Sequence, residues 1–286
     1  QMTAYEIMPS LVGSEMCIRD SDEEDHDDGE KTILGQTGYW NGEDAVRIIC
    51  EQEATARFVA RHLYHFFVAD ELPVPQWPHE SPRDPAAIDA LVKAYFDSGH
   101  NIKAMLEVLF NSDFFKSESA RNARIKSPAE MVIGTMRLAG PITLPSDDIF
   151  AADAACGNMG QGLMRPPSVE GWQGGVEWIN TGAYVERVNF AGRILNDPNK
   201  SGVRDIIDRI KTYSSSGSIT TDRLAEVAFD VLGPMDVMET TKSGLKNYLS
   251  KYGDLSWEHD DESDNFDKAA VAAIQLIVSS QEYQTV

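Results

Sequence analysis

An all-α fold is predicted by three features: apolar residues recurring at helical spacing, capping residues at the starts of those runs, and no alternating pattern strong enough to make strands. The helical period begins at Glu43. Ala45, Val46, Ile48 and Ile49 form a short apolar face, and Phe58, Val59, Leu63, Phe66 and Phe67 form a stronger one. The proline-rich connection from Leu72 to Arg83 follows. Asp84-Pro85 then opens a helix, with a side-chain cap and a proline at the first helical position. Ile88, Leu91, Val92, Tyr95 and Phe96 carry that helix to Ser98-Gly99. Asn101 caps the next, whose face is Ile102, Met105, Leu106, Leu109 and Phe110. Ser127-Pro128-Ala129-Glu130 is a capping box, followed by Met131, Ile133, Met136 and Leu138.

Ser146-Asp147-Asp148 starts another helix, with acids at the positive end of its dipole. The stretch from Gly160 to Trp172 cannot be helical, because Pro166 and Pro167 fix φ and remove two donors. It carries Ser168, Gly171 and Trp172, with Trp178 close behind. A rigid aromatic loop between helices is expected to pack its tryptophans where the helices meet. A helix over about 181–195 comes next, then four shorter ones near 202–211, 221–232, 236–251 and 264–282. The segments 104–115 and 272–283 end alike in a serine, an acid and aromatics, which two helices sharing the same stop signals explain.

The organisation expected is therefore a single helical domain over 43–286, with a main part (43–195) and a smaller C-terminal part (196–286). An acidic, glycine-punctuated loop over 22–42 precedes it, with a short strand at Thr32–Leu34. Residues 1–21 fit none of this. Pro9 to Ser21 resembles translated sequencing-adapter read-through of the kind found at the ends of environmental contigs, so that segment is set apart as an artefact. On that reading the chain is the C-terminal fragment of a longer protein.

The net charge of −21 is concentrated in two places. Asp22–Glu30 and Asp254–Asp267 hold seven acids each and no Lys or Arg, so the remainder has 32 acids against 25 bases. An acidic surface disfavours binding to nucleic acid or to anionic lipid. No apolar run reaches the roughly 18 residues needed to span a bilayer. Cys17, Cys50 and Cys156 form no Cys-x-x-Cys pair, so neither a disulfide framework nor a zinc ribbon is written here.

Several segments share order and spacing with one bacterial family. They are His26-Asp27-x-Gly29-x-Lys31-Thr32-x-Leu34-Gly35, Ala56-Arg57-Phe58-Val59-Ala60-Arg61 with Phe66-Phe67-Val68, and Ile102-x-Ala104-x-Leu106-x-x-Leu109 with Ser112. Lys126-Ser127-Pro128, Gly162-x-x-x-x-Pro166-Pro167-Ser168-x-x-Gly171-Trp172 and Asn189-Phe190-Ala191 complete the set. Through them the chain resembles the family labelled domain of unknown function 1800. The resemblance implies an exported, all-helical bacterial protein, periplasmic or extracellular, whose N-terminal half precedes His26. It implies no reaction. Members tend to be encoded beside secreted proteins resembling sulfatases or alkaline phosphatases, which suggests such a partner.

For chemistry, His26, Asp27 and Asp28 present an imidazole and carboxylates that could hold a divalent cation, or could pin the loop. The spacing is not that of a calcium hand, since the twelfth position would be Gly35. Arg57 and Arg61, one turn apart, suit either an anionic ligand or structural ion pairs. His62 and His65 have helical metal-ligand spacing but read better as ordinary histidines, and His259-Asp260-Asp261 as a polar connection. Ser168 lacks a nucleophile-elbow context, and its hydroxyl suits the turn after the prolines. Trp172 and Trp178 read as packing residues rather than a sugar platform.

Two function classes stay open. In one, the protein is a non-catalytic scaffold or partner in extracytoplasmic polymer handling or assembly. In the other, it is a metal-dependent, hydrolase-like enzyme whose site the missing half would complete with His26, Asp27, Arg57 and Arg61. The residues name no cofactor beyond that possible divalent metal.

Overall fold

The helix starts read at Asp84, Asn101 and Ser127 are made by those side chains, each accepting a backbone N–H of the first turn that follows, and Ser127 with Glu130 closes a reciprocal capping box. Asn41 and Asn180 cap two further helices in the same way. A computed structural model describes Glu24 and residues 26–143, 146–168, 171–233 and 235–286, the side chains of Asp260 and Asp261 excepted. The segment read as adapter sequence, Cys17 and most acids before His26 lie outside the described residues.

The described chain is mostly helical, with two small antiparallel pairs. Lys31–Ile33 (β1) pairs with Gln36–Gly38 (β2), close to the strand expected at Thr32–Leu34. Ser218–Ile219 (β3) pairs with Leu255–Ser256 (β4), joining segments too short to show a strand period.

The fold divides into two compact units. The first comprises the described residues through Ala120 together with those of Pro167–Gly171. It contains α1 (Gly42–Cys50), α2 (Glu53–Phe67), α3 (Pro85–Asp97), α4 (Ile102–Asn111) and α5 (Asp113–Lys116). α3 packs against both α2 and α4, and its Ile88, Leu91, Val92 and Tyr95 are buried as their spacing predicts. The Tyr95 hydroxyl donates to the Cys50 carbonyl at 2.9 Å, fixing the end of α1.

α2 is rotated from the expected face. Phe58 and Phe66 are 49% and 63% exposed, whereas Ala56, Ala60, Arg61 and Tyr64 are buried. Two alanines one turn apart let the helix axis approach its neighbours closely, which a phenylalanine stripe would prevent.

The second unit holds Arg121–Pro166 and Trp172–Val286. Its helices are α6 (Pro128–Ala139), α7 (Asp148–Asn158), α8 (Thr181–Ile194), α9 (Ser201–Lys211), α10 (Thr221–Leu232), α11 (Glu239–Leu249) and α12 (Asp260–Val278). α12 is central, touching α8, α9, α10, α11 and β4. Ala269, Ala270 and Ala273 keep its surface low, so Ile206, Ile207, Ile210, Leu224 and Val227 reach the same core. Ala191 and Leu195 of α8 and Met131 of α6 belong to that core too. The units therefore divide at Ala120–Arg121, and residues 121–195 share one interior with 196–286, where a boundary near residue 195 was expected. A second cluster joins Val132, Met136, Ala155, Cys156, Met159 and Phe190.

α6 and α9 meet at backbone distance. A Cβ on Gly202 would lie 2.3 Å from the Leu138 carbonyl oxygen and 2.6 Å from the Gly140 nitrogen. Gly202→Ala should therefore lower the unfolding free energy measured in urea by about 1–3 kcal/mol through overpacking. The exposed helical Gly244 has nothing within 4 Å. Gly244→Ala should instead add up to about 1 kcal/mol from helix propensity. The opposite signs, measured side by side, test the contact itself.

Candidate functional site

The loop holding His26, Asp27 and Asp28 is closed on itself. The His26 imidazole pairs with Asp28 at 3.0 Å, and the Asp27 carboxylate accepts the Gly29 N–H at 2.8 Å. Lys31 donates to the Asp27 and Gly29 carbonyl oxygens. These are turn-forming bonds at exposed positions. Among the described residues, no group of three or more His, Cys, Asp or Glu side chains is placed to hold a metal ion.

Arg57 and Arg61 have separate tasks. Arg57 is exposed and bonds Glu53 and Asp89, each at 2.8 Å, linking α2 to α3. Arg61 is buried. Its Nε and Nη2 donate to one Glu71 carboxylate oxygen at 3.0 and 2.7 Å. The same guanidinium reaches the carbonyl oxygens of Trp77 (3.4 Å), Glu80 (2.9 Å) and Ser81 (3.3 Å), and lies 4.8 Å from the centre of the Trp77 ring. The other Glu71 oxygen accepts the Arg83 N–H at 2.8 Å. One ion pair therefore folds the proline-rich connection back onto α2. Among the described residues, neither arginine pairs with the acidic loop.

His62 and His65 do not share a ligand position. His65 Nδ1 accepts the Glu71 N–H at 2.9 Å, and the His62 ring packs against Phe58 and Trp77 at 4.5 and 4.6 Å. Burial, then the neighbouring His65, lowers the His62 pKa from its usual value.

In the Pro-Pro loop the tryptophans, not the prolines, face inward. Pro166, Pro167 and Ser168 are exposed, whereas Trp178 is buried with its ring against Gly160. Trp172 is half-buried, and its indole N–H donates to the Gly162 carbonyl at 3.1 Å. The Gly171 N–H returns to the Ser168 carbonyl at 3.1 Å, and Gly171 itself has a positive φ of +91°, which favours glycine. Here Ser168 contributes its backbone to the turn after the prolines.

One buried polar cluster was not singled out by the sequence reading. Arg187 of α8 is wholly buried, on the face that also carries Ala183, Phe190 and Ala191. Its Nη1 donates to Gln284 Oε1 at 3.2 Å and its Nη2 to the Lys126 carbonyl at 2.8 Å. Lys126 Nζ donates to the Tyr283 carbonyl at 2.6 Å and sits 3.8 Å from the centre of the Tyr283 ring. Backbone bonds join Arg124 to Val286 in both directions, and the Lys126 N–H to the Gln284 carbonyl. Gln161 caps the start of α6 from outside, its Oε1 accepting the Ala129 N–H at 2.8 Å. The motif segment Lys126-Ser127-Pro128 thus meets α8 and the last residues of the chain. Burial pushes the Lys126 amine down to about 8 and the Arg187 guanidinium down to about 10; Glu130 opposes both shifts, while Arg187 adds to the lowering of Lys126. A charged residue at a core position of a helical face was the available signal.

An aromatic ladder marks the first unit. Phe66, Phe67, Phe110 and Phe115 meet edge to face in sequence, with centres 4.7, 5.1 and 5.2 Å apart. Phe66 and Phe110 are 63% and 40% exposed.

A family model described as "Protein of unknown function (DUF1800)" matches residues 14–285. No curated protein and no solved structure matches the chain. No described helix is long and apolar enough to cross a membrane.

Two measurements test this geometry. Glu71→Gln strands the buried Arg61 guanidinium, and should cost about 3–5 kcal/mol in chemical denaturation. For Lys126, the folded chain releases its proton near pH 8 and the unfolded chain near 10.5. The unfolded state then binds more protons between those values, so stability rises with pH across that window. The stability difference between wild type and Lys126→Met should climb from pH 8 to 10.5 in chloride buffer; a flat difference would place the amine in water.

Proposed function

The chain belongs to the family described as protein of unknown function (DUF1800), and from that premise we propose that it is a non-catalytic scaffold or partner in extracytoplasmic polymer handling or assembly. Export to the periplasm or beyond is part of the proposal. So is the partner, a secreted protein resembling a sulfatase or an alkaline phosphatase. The observation that carries this reading is the phenylalanine ladder of the first unit, whose Phe66 and Phe110 rings are exposed while Phe67 and Phe115 are half-buried beneath them. Aromatic rings held at a surface characterise contact sites between proteins.

The use made of the charged motif residues supports the same reading. Arg61 holds the connection after α2, Lys126 holds the C-terminal segment, and His26, Asp27 and Asp28 bond within their own turn. Groups spent on holding the fold serve a binding surface, whereas a catalyst needs them aimed at a substrate.

The test is binding of the secreted partner encoded beside the gene, measured with purified proteins. The double variant Phe66→Asp/Phe110→Asp should keep its helical circular dichroism and lose about tenfold or more in affinity, as for central contact residues. Unchanged affinity would sink the scaffold reading. So would hydrolysis of a polymer or ester substrate that tracks bound metal and disappears in His26→Ala, a result that supports the metal-dependent enzyme.

A further inference from the structure

Arg187 presents a charge problem that its neighbours do not solve. A guanidinium has five N–H donors. Two of them go to Gln284 and to the Lys126 carbonyl, both neutral acceptors, and the buried Nε has no partner. The residue is 0% exposed. Lys126 beside it spends its ammonium on another neutral carbonyl, that of Tyr283. The acid next to this pair is Glu130, and it is already engaged. One of its oxygens accepts the Ser127 N–H at 2.7 Å, and the other accepts Arg124 Nη2 at 3.0 Å. Among the described residues, Glu130 is the carboxylate felt by both Lys126 and Arg187, and Arg124 already bonds it.

The contrast with Arg61 shows what a balanced arrangement looks like. That guanidinium is equally enclosed, yet both Nε and Nη2 meet a carboxylate. Burying an ion without a counter-charge is costly, and dipoles alone recover only part of the loss of water. A water molecule at Nε would satisfy one donor and leave the charge. An oxyanion satisfies the donor and the charge together, and arginine's planar fork is matched to that geometry.

We propose that Arg187 and Lys126 form a binding site for a small oxyanion, a carboxylate or phosphate group, reached past the half-buried Lys126 and Arg124. The remaining guanidinium donors grip its oxygens and the Lys126 ammonium neutralises it. The site lies where the segment before α6, α8 and the last residues meet, so its occupant ties the three together. Burial already holds the Lys126 proton loosely. The anion, with Glu130, favours the protonated form, against Arg187 and Arg124.

The experiment uses the full chain in sodium acetate or sodium phosphate against sodium chloride at matched ionic strength, read by thermal unfolding and by equilibrium dialysis of labelled phosphate and labelled acetate. The expected result is a saturable rise in the melting temperature with at least one oxyanion, and binding of one anion per chain. Lys126→Met should weaken that binding about tenfold or more, while the exposed Lys268→Met keeps it. Acetate alone raising the midpoint identifies a carboxylate site, and phosphate alone a phosphate site. Arg187→Gln should abolish binding; should it not fold, Lys126→Met decides. Equal effects of chloride and both oxyanions, or unchanged saturable binding in Lys126→Met, would overturn the proposal.

Discussion

A guanidinium taken wholly out of water governs the second unit. Arg187 sits on the face of α8 that also presents Ala183, Phe190 and Ala191, so α8 can pack only if the charge is accommodated. Its bonds reach forward to Gln284 and back to Lys126, residues separated from it by 97 and 61 positions. Through them the end of the chain is laid beside the start of α6, where Ile125 and Thr285 bridge. A buried polar group with this reach specifies one arrangement, because any slip leaves its donors unmatched.

The first unit handles the same residue type differently. Arg61 is closed by Glu71 on one side and by carbonyl oxygens of the connection on the other. That ion pair turns a proline-rich segment, unable to form a regular ladder of its own, into an ordered wall beside α2. Among the described residues each unit contains one enclosed arginine. The first is neutralised by Glu71; the second meets dipoles, and Glu130 at a distance.

Much of the architecture was legible because local chemistry and global packing agree. Caps at Asp84, Asn101 and Ser127 placed helix starts correctly, and the face of α3 was read residue by residue. α2 was misread, since its close approach is made by Ala56 and Ala60, small residues that carry little weight in a hydrophobic pattern. Of the expected site residues, His26 and Asp27 were recognisable by motif, but the bonds that satisfy them within one turn depend on backbone geometry. Arg187 was missed for another reason. Its partners are a lysine carbonyl and a glutamine far away in sequence, and neither leaves a local trace.

The glycine contact at the far end of α6 gives that helix a mechanical character. At its first turn α6 is held by Ser127, Glu130 and the Lys126 cluster; at its last, Leu138 and Gly140 lie against Gly202 with no side chain between. Twelve residues separate the two ends, a rod of about 18 Å at the rise of an α-helix. Side chains in between can change rotamer to absorb a shift, but two backbones in direct contact cannot. The start of α6 is thus tied to α9, and through α9 to the core built around α12, by one helix with no layer of side chains at its far end.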